Sequence, residues 1–174
     1  MSAHEHPYDE GGPIVMIEHD AFENAFNRLY EETMALIEEA ASYIDTDGKI
    51  AARSLPTEVS AIYAKEAMYL STRLMQLASR LLLFRAEREG EMSSEQIKKE
   101  IAKVSLHTPT LKSESTYWKE LPEIFRYFVS RSLRLEKRMR YMSYNKDGGS
   151  FRNSEDNNPV NKQIELLKTA FRRS

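Results

Sequence analysis

The chain of 174 residues contains no cysteine, which excludes disulfides and thiolate metal sites and fits a reducing compartment. It also lacks any apolar run long enough to cross a membrane. The longest, Leu74–Ala86, has 13 residues and carries Gln76, Arg80 and Arg85, where a span needs roughly 20 apolar residues. The N-terminal stretch MSAHEHPYDEGGP has neither the basic nor the apolar region of a signal peptide. A cytoplasmic protein is expected. No glycine-rich phosphate loop is present, because Gly148-Gly149 is not followed by a helix-opening Lys-Ser or Lys-Thr, so nucleotide hydrolysis is not expected.

The histidines offer no metal site. His4 and His6 lie near Asp9 and Glu10 in an N-terminal lead, His19 stands beside Glu18 and Asp20, and His107 is alone in a loop. Metal chemistry requires several ligands held on rigid elements. Nor does any segment suggest the positioned nucleophile of Ser/His/Asp catalysis. No catalytic residue, cofactor or metal is expected, and the chain reads as a non-enzyme.

What is present is helix. Asp20 and Glu23 make a capping-box-like start, and Phe22, Phe26, Leu29, Ile37, Ala40 and Ile44 recur at helical spacing over 18–45, with Thr33 the weak place in the stripe. Asp45-Thr46-Asp47-Gly48 stops this helix, and 49–54 reads as a connector. A second helix starts at Pro56 and ends at Gly90. Its residues Val59, Ile62, Leu70, Leu74, Leu77, Leu81 and Phe84 share one face, while Tyr63, Ala67, Ala78 and Leu82 lie on an adjoining one. Apolar residues on more than half the circumference predict the central, longest helix of a bundle, packed between two partners. Glu66 and Arg73 fall on its buried side, and each is expected to meet an opposite charge on a neighbouring helix.

Ser93-Ser94-Glu95-Gln96 is a second capping box, opening a short helix with Ile97, Ile101 and Val104. Residues 105–116 read as a polar loop. A third long helix, beginning near Trp118 or Pro122, carries Leu121, Phe125, Phe128, Leu135, Met139 and Met142 on its core face. The expected class is therefore all-α: a three-helix bundle over 18–144 with a long central second helix, a flexible lead over 1–17 and a disordered tail over 145–174. The tail is rich in Gly, Asn, Ser and Asp as far as Asn161, then changes. Lys162–Arg173 places Ile164, Leu167, Ala170 and Phe171 at helical spacing with Arg172 and other basic residues around them. Such a segment can dock a partner or fold back as a fourth helix, and both readings remain open.

Charge is unevenly distributed. Residues 1–52 hold 12 acidic and 2 basic side chains, whereas 53–174 hold 15 acidic and 23 basic. Ion pairs between an acidic first helix and a basic third helix are expected, each worth about 0–1 kcal/mol. On the flank of the third helix, Tyr127, Arg134, Arg138 and Tyr141 form an aromatic and basic stripe. It could be a second core face, a protein interface or a platform for nucleic acid. The sequence pI of about 6.1 counts against nucleic acid, and a nucleic-acid-binding regulator using this helix is the alternative to a protein-binding role.

The run Tyr69–Ser79, YLSTRLMQLAS, is followed by LLLFRA and Gly90-Glu91-Met92-Ser93. With Leu55-Pro56 and FENAFNRLYEETMALIEEAASYI before it, this pattern resembles the RcdA family, the alphaproteobacterial regulators of CtrA degradation, over roughly 18–104. The resemblance implies a three-helix homodimer that acts as a proteolysis adaptor in cell-cycle regulation, helping deliver CtrA and other substrates to ClpXP. It further implies partners in that delivery complex, a response-regulator-like adaptor and a cyclic-di-GMP-binding adaptor, and accumulation at a cell pole.

Overall fold

A computed structural model describes residues 13–146, with side chains from 19 to 143. Among these residues every regular element is a helix: α1 (Pro13–Asp45), α2 (Asp47–Arg53), α3 (Thr57–Arg88), α4 (Ser94–Lys103), α5 (Thr116–Glu120) and α6 (Glu123–Lys146). The chain divides at Met139 into two compact units, and of the second only the last turns of α6 belong to the described residues. The lead of residues 1–12 and the tail beyond Lys146 lie outside them.

Three long helices, α1, α3 and α6, bury heptad seams. In α1 the seam is Phe26, Leu29, Thr33, Leu36, Ala40 and Tyr43; in α3 it is Val59, Tyr63, Glu66, Leu70, Arg73, Leu77, Leu81 and Phe84. Steps alternating between three and four residues give the 3.5-residue period that lets helices interdigitate along their length. In α6, Leu121 just before the helix and Phe125, Phe128, Ser132, Leu135 and Met139 within it complete the core. Rings meet across it, Tyr43 with Phe128 at 5.4 Å and Tyr63 with Phe125 at 4.7 Å between centroids.

Several elements differ from the sequence reading. The first helix begins at Pro13 rather than 18, since proline suits an opening turn whose N–H has no helical partner. At 33 residues it is as long as α3 with 32. The connector 49–54 is mostly the helix α2, which continues α1 after a break at Thr46. Gly48 allows that break: a Cβ there would stand 2.5 Å from Tyr63 Oη and 2.8 Å from the Tyr43 carbonyl oxygen. The third helix is split at Leu121-Pro122 into α5 and α6, as expected where proline follows and disfavours helical backbone at the residue before it.

The short helix α4 carries the full capping box. Gln96 N donates to Ser93 Oγ at 3.3 Å and Ser93 N to Gln96 Oε1 at 2.9 Å. Gly90, at φ +74°, makes the turn that precedes it. The helix folds back on α3 and buries Ile97.

The segment after α4 is an extended strap laid antiparallel along α3. Arg80 donates twice to the Val104 carbonyl, at 3.1 and 2.8 Å. Thr108 donates to Gln76 at 2.9 Å, and Arg73 Nη2 donates to the carbonyls of Thr108 and Pro109 at 3.2 and 3.1 Å. Glu66 accepts from Leu111 N and Thr110 Oγ1, and Tyr117 at the start of α5 donates to Glu58. Positions 66, 73 and 80 lie one heptad apart, so one stripe of α3, whose Glu66 and Arg73 also belong to the buried seam, grips the strap.

Candidate interaction surface

The flank of α6 beside its core seam is the place where working residues collect. Ile124 and Tyr127 are each 54% exposed, and Arg134 is exposed with no bond to another described residue. The Arg131 guanidinium lies over the Tyr127 ring, 5.5 Å from its centroid. Because 124, 127, 131, 134 and 138 step by three and four residues, they share one stripe along the helix, exposed except at Arg131, which lies against α1. The core-flank reading of Tyr127, Arg134 and Arg138 is thereby corrected. The seam one heptad register away already satisfies the packing, and these side chains face water. Tyr141, in the second unit, is 62% exposed. The other candidates, Ile164, Leu167, Phe171 and Arg172, lie outside the described residues.

The charge on this stripe is partly cancelled. Arg131 pairs with Glu39 at 2.6 Å and Arg138 with Glu32 at 2.5 Å, both across to α1. These are the ion pairs expected between the acidic and basic halves of the chain, and Arg88 with Glu23 adds one between α3 and α1. Each is partly exposed, so its contribution is at most about 1 kcal/mol. Tyr127 therefore stands among held guanidinium groups, with Arg134 the cation left to meet a partner.

The buried polar groups answer to structure. Arg73, 1% exposed, donates Nε to Glu136 Oε2 at 2.9 Å and Nη1 to Ser132 at 3.2 Å. Burial lowers its pKa, while Glu136 and then Glu66 hold it up. The expected partner for Arg73 is found on the neighbouring helix. For Glu66 the expectation is corrected, since its carboxylate is satisfied by the strap instead, where a backbone N–H and a hydroxyl approach it. Tyr63 is pushed up to about 12, chiefly by burial and then by Tyr43. Among the described residues its hydroxyl has no hydrogen-bond partner.

A cleft of about 710 Å³ opens between α1 and α3, lined by residues including Glu23, Phe26, Tyr30, Arg85 and Arg88. Its arginines are occupied: Arg85 bonds Glu89 and stacks over Tyr30, and Arg88 pairs with Glu23 over Phe26. Among the described residues no group of three or more His, Cys, Asp or Glu could hold a metal ion. No described helix is long and apolar enough to cross a membrane.

Two comparisons place the chain. A family model described as a protein of unknown function, DUF1465, matches residues 17–171. The crystal structure of RcdA from Caulobacter crescentus CB15 is 38% identical, with a TM-score of 0.57, over 69% of this chain and 88% of that one. The chain belongs to the RcdA family. No curated protein matches it. The sequence signal of the α6 stripe is a recurrence of Tyr and Arg at heptad spacing, Tyr127, Arg134 and Tyr141. Ile124 and Arg131, which complete that stripe, are not singled out by the sequence, where neither belongs to a motif.

Proposed function

We propose that this RcdA-family chain is a non-enzymatic adaptor whose α6 stripe binds a protein partner. The observation that carries the reading is the combination of exposed Ile124 and Tyr127 with Arg134, on a helix whose adjoining face is fixed in the core. Tyrosine and arginine anchors in a partly apolar setting are what protein interfaces concentrate. The neutralisation of Arg131 and Arg138 by Glu39 and Glu32 favours protein over nucleic acid. Those carboxylates stand where phosphates would approach.

The family resemblance supplies the finer part of the proposal. The chain acts as a homodimer in regulated proteolysis, helping bring a substrate such as CtrA to ClpXP together with a response-regulator-like adaptor and a cyclic-di-GMP-binding adaptor, and it gathers at a cell pole. Ile164, Leu167, Phe171 and Arg172 give the tail a second docking element. Joining two binding elements on one chain makes the second capture intramolecular, at effective concentrations that can approach mM.

Reconstituted degradation tests this. Wild-type protein should accelerate substrate loss, Tyr127→Ala/Arg134→Ala should not, and truncation after Tyr144 should weaken delivery while leaving the helical circular dichroism intact. Full delivery by the double variant would refute the α6 surface, and full delivery by the truncated chain would refute the tail. Binding to DNA that persists at near-physiological salt would move the reading to nucleic acid.

A further inference from the structure

Within the first unit, the exposed charges of α6 are sorted by sign along its axis. Glu123 is exposed in the first turn, next to the apolar Ile124 and Tyr127. Two turns further on the sign reverses, with Arg134, Lys137 and Arg138 exposed. Arg138 is tied to Glu32, whereas Arg134 and Lys137 form no ion pair among the described residues. The remaining charges are spent inward: Arg126 donates to the Leu121 carbonyl at 3.1 Å, Arg131 pairs with Glu39, and Glu136 is buried against Arg73. Positions 123, 127, 130, 134 and 137 step by four and three residues, so Glu123, Tyr127, Ser130, Arg134 and Lys137 share one face. That face runs from negative, past an apolar patch, to positive over about 20 Å.

Resting on the reading of α6 as a partner-binding surface, we infer that the partner element is one amphipathic helix lying antiparallel to α6. It is acidic in its first turns, apolar in its middle and basic in its last turn. Its acids meet Arg134 and Lys137, its apolar residues meet Ile124 and Tyr127, and its basic end meets Glu123. The direction follows from the dipole. A helix carries carboxylates best at its N-terminus and cations best at its C-terminus, and a helix charged in that way matches this face only when it runs against α6. Lying parallel, it would set acid on Glu123 and base on Lys137. An extended strand would gain little, because the main chain of α6 is used within the helix and offers no edge to pair with. The chain's own segment 162–173, with four basic residues and one acidic, has the wrong sign for Arg134 and Lys137. Exposed pairs of this kind set orientation and register more than affinity. Ile124 and Tyr127 therefore supply the grip and the charges supply the direction.

Two synthetic helical peptides of about four turns test this against the full chain, each carrying an uncharged dye for fluorescence anisotropy. One has Glu in its first turns, Leu in the middle and Lys in its last turn; the other is the same sequence reversed. The first should bind tighter by about tenfold, and the preference should fade in about 1 M salt as the charges are screened. Arg134→Gln/Lys137→Gln should erase it. Glu123→Lys/Arg134→Glu/Lys137→Glu, with helical circular dichroism intact, should invert it, which a preference arising only from the first peptide's greater helicity would not do. A preference that survives Arg134→Gln/Lys137→Gln would overturn the proposal. If Tyr127→Ala/Arg134→Ala stops delivery but wild type binds both peptides alike, or binds neither, the α6 surface stands and the antiparallel acidic helix falls. Full delivery by that variant, alongside a preference that obeys the charge variants, would keep the helix site and refute its part in delivery.

Discussion

Arg73 and Glu136, 63 residues apart in sequence, form a salt bridge of 2.9 Å with side chains 1% and 9% exposed. The same guanidinium holds Ser132 and two strap carbonyls, so a single side chain joins α3, α6 and the strap. Arg73→Ala removes the buried guanidinium that donates to Glu136, Ser132 and the strap and that stands near Glu66, a loss of about 3–5 kcal/mol. Urea unfolding followed by circular dichroism should show the fall in midpoint. A variant within about 1 kcal/mol of wild type would mean that water replaces the arginine.

Gly48 and Tyr63 should couple in the same kind of measurement. Gly48→Ala brings a methyl group against the Tyr63 hydroxyl and the Tyr43 carbonyl, at an expected cost of about 1–3 kcal/mol. Tyr63→Phe removes a buried oxygen that has no partner among the described residues, so it should be neutral or stabilise by about 1 kcal/mol. Combined, the two should cost less than the sum of the single changes, because the phenylalanine opens room for the methyl. Strict additivity would place the whole clash on the backbone of α1.

Alkaline unfolding offers a separate check on Tyr63. The unfolded chain releases a tyrosine proton near 10, but the folded phenol keeps its own until about 12. Its contribution is fully present below pH 10 and is lost as pH rises through that interval, because only the unfolded state sheds the proton. Stability should therefore decline less steeply between pH 10 and 12 in Tyr63→Phe than in wild type. Equal slopes would show that the phenol ionises alike in both states.

Tyr127→Ala/Arg134→Ala should change the melting temperature by no more than a surface substitution does, corresponding to about 0.5 kcal/mol per residue. These side chains contribute little to the core. A loss of several kcal/mol would mean that the stripe supports the bundle.

The helices were legible in the sequence because periodicity reports burial directly, and capping at Ser93-Gln96 and the turn at Gly90 follow from local chemistry. The phase of α1 was less so. Ile37 and Ile44 attract attention as bulky apolar residues, yet Leu36 and Tyr43 occupy the core. Thr33, which looks like a gap, joins the seam because its hydroxyl donates to the Leu29 carbonyl at 2.7 Å. The strap was invisible, since segment 104–111 has no periodicity and its order comes from Glu66, Arg73, Gln76 and Arg80 on a helix far away in sequence. Tyr127, Arg134 and Arg138 were recognisable as a stripe, but whether a flank faces water or a neighbour depends on where the other helices stand.

The strap's anchors mostly hold main-chain atoms: the carbonyls of Val104, Thr108 and Pro109 and the N–H of Leu111. Such a grip is largely indifferent to which side chains the segment carries but strict about its length. Replacing Ser105 or Lys112 should pass unnoticed, whereas inserting one residue between Val104 and Thr108 would put Arg73 and Arg80 out of step with each other. The most variable-looking stretch of the chain is therefore a ruler, tolerant of spelling and intolerant of counting.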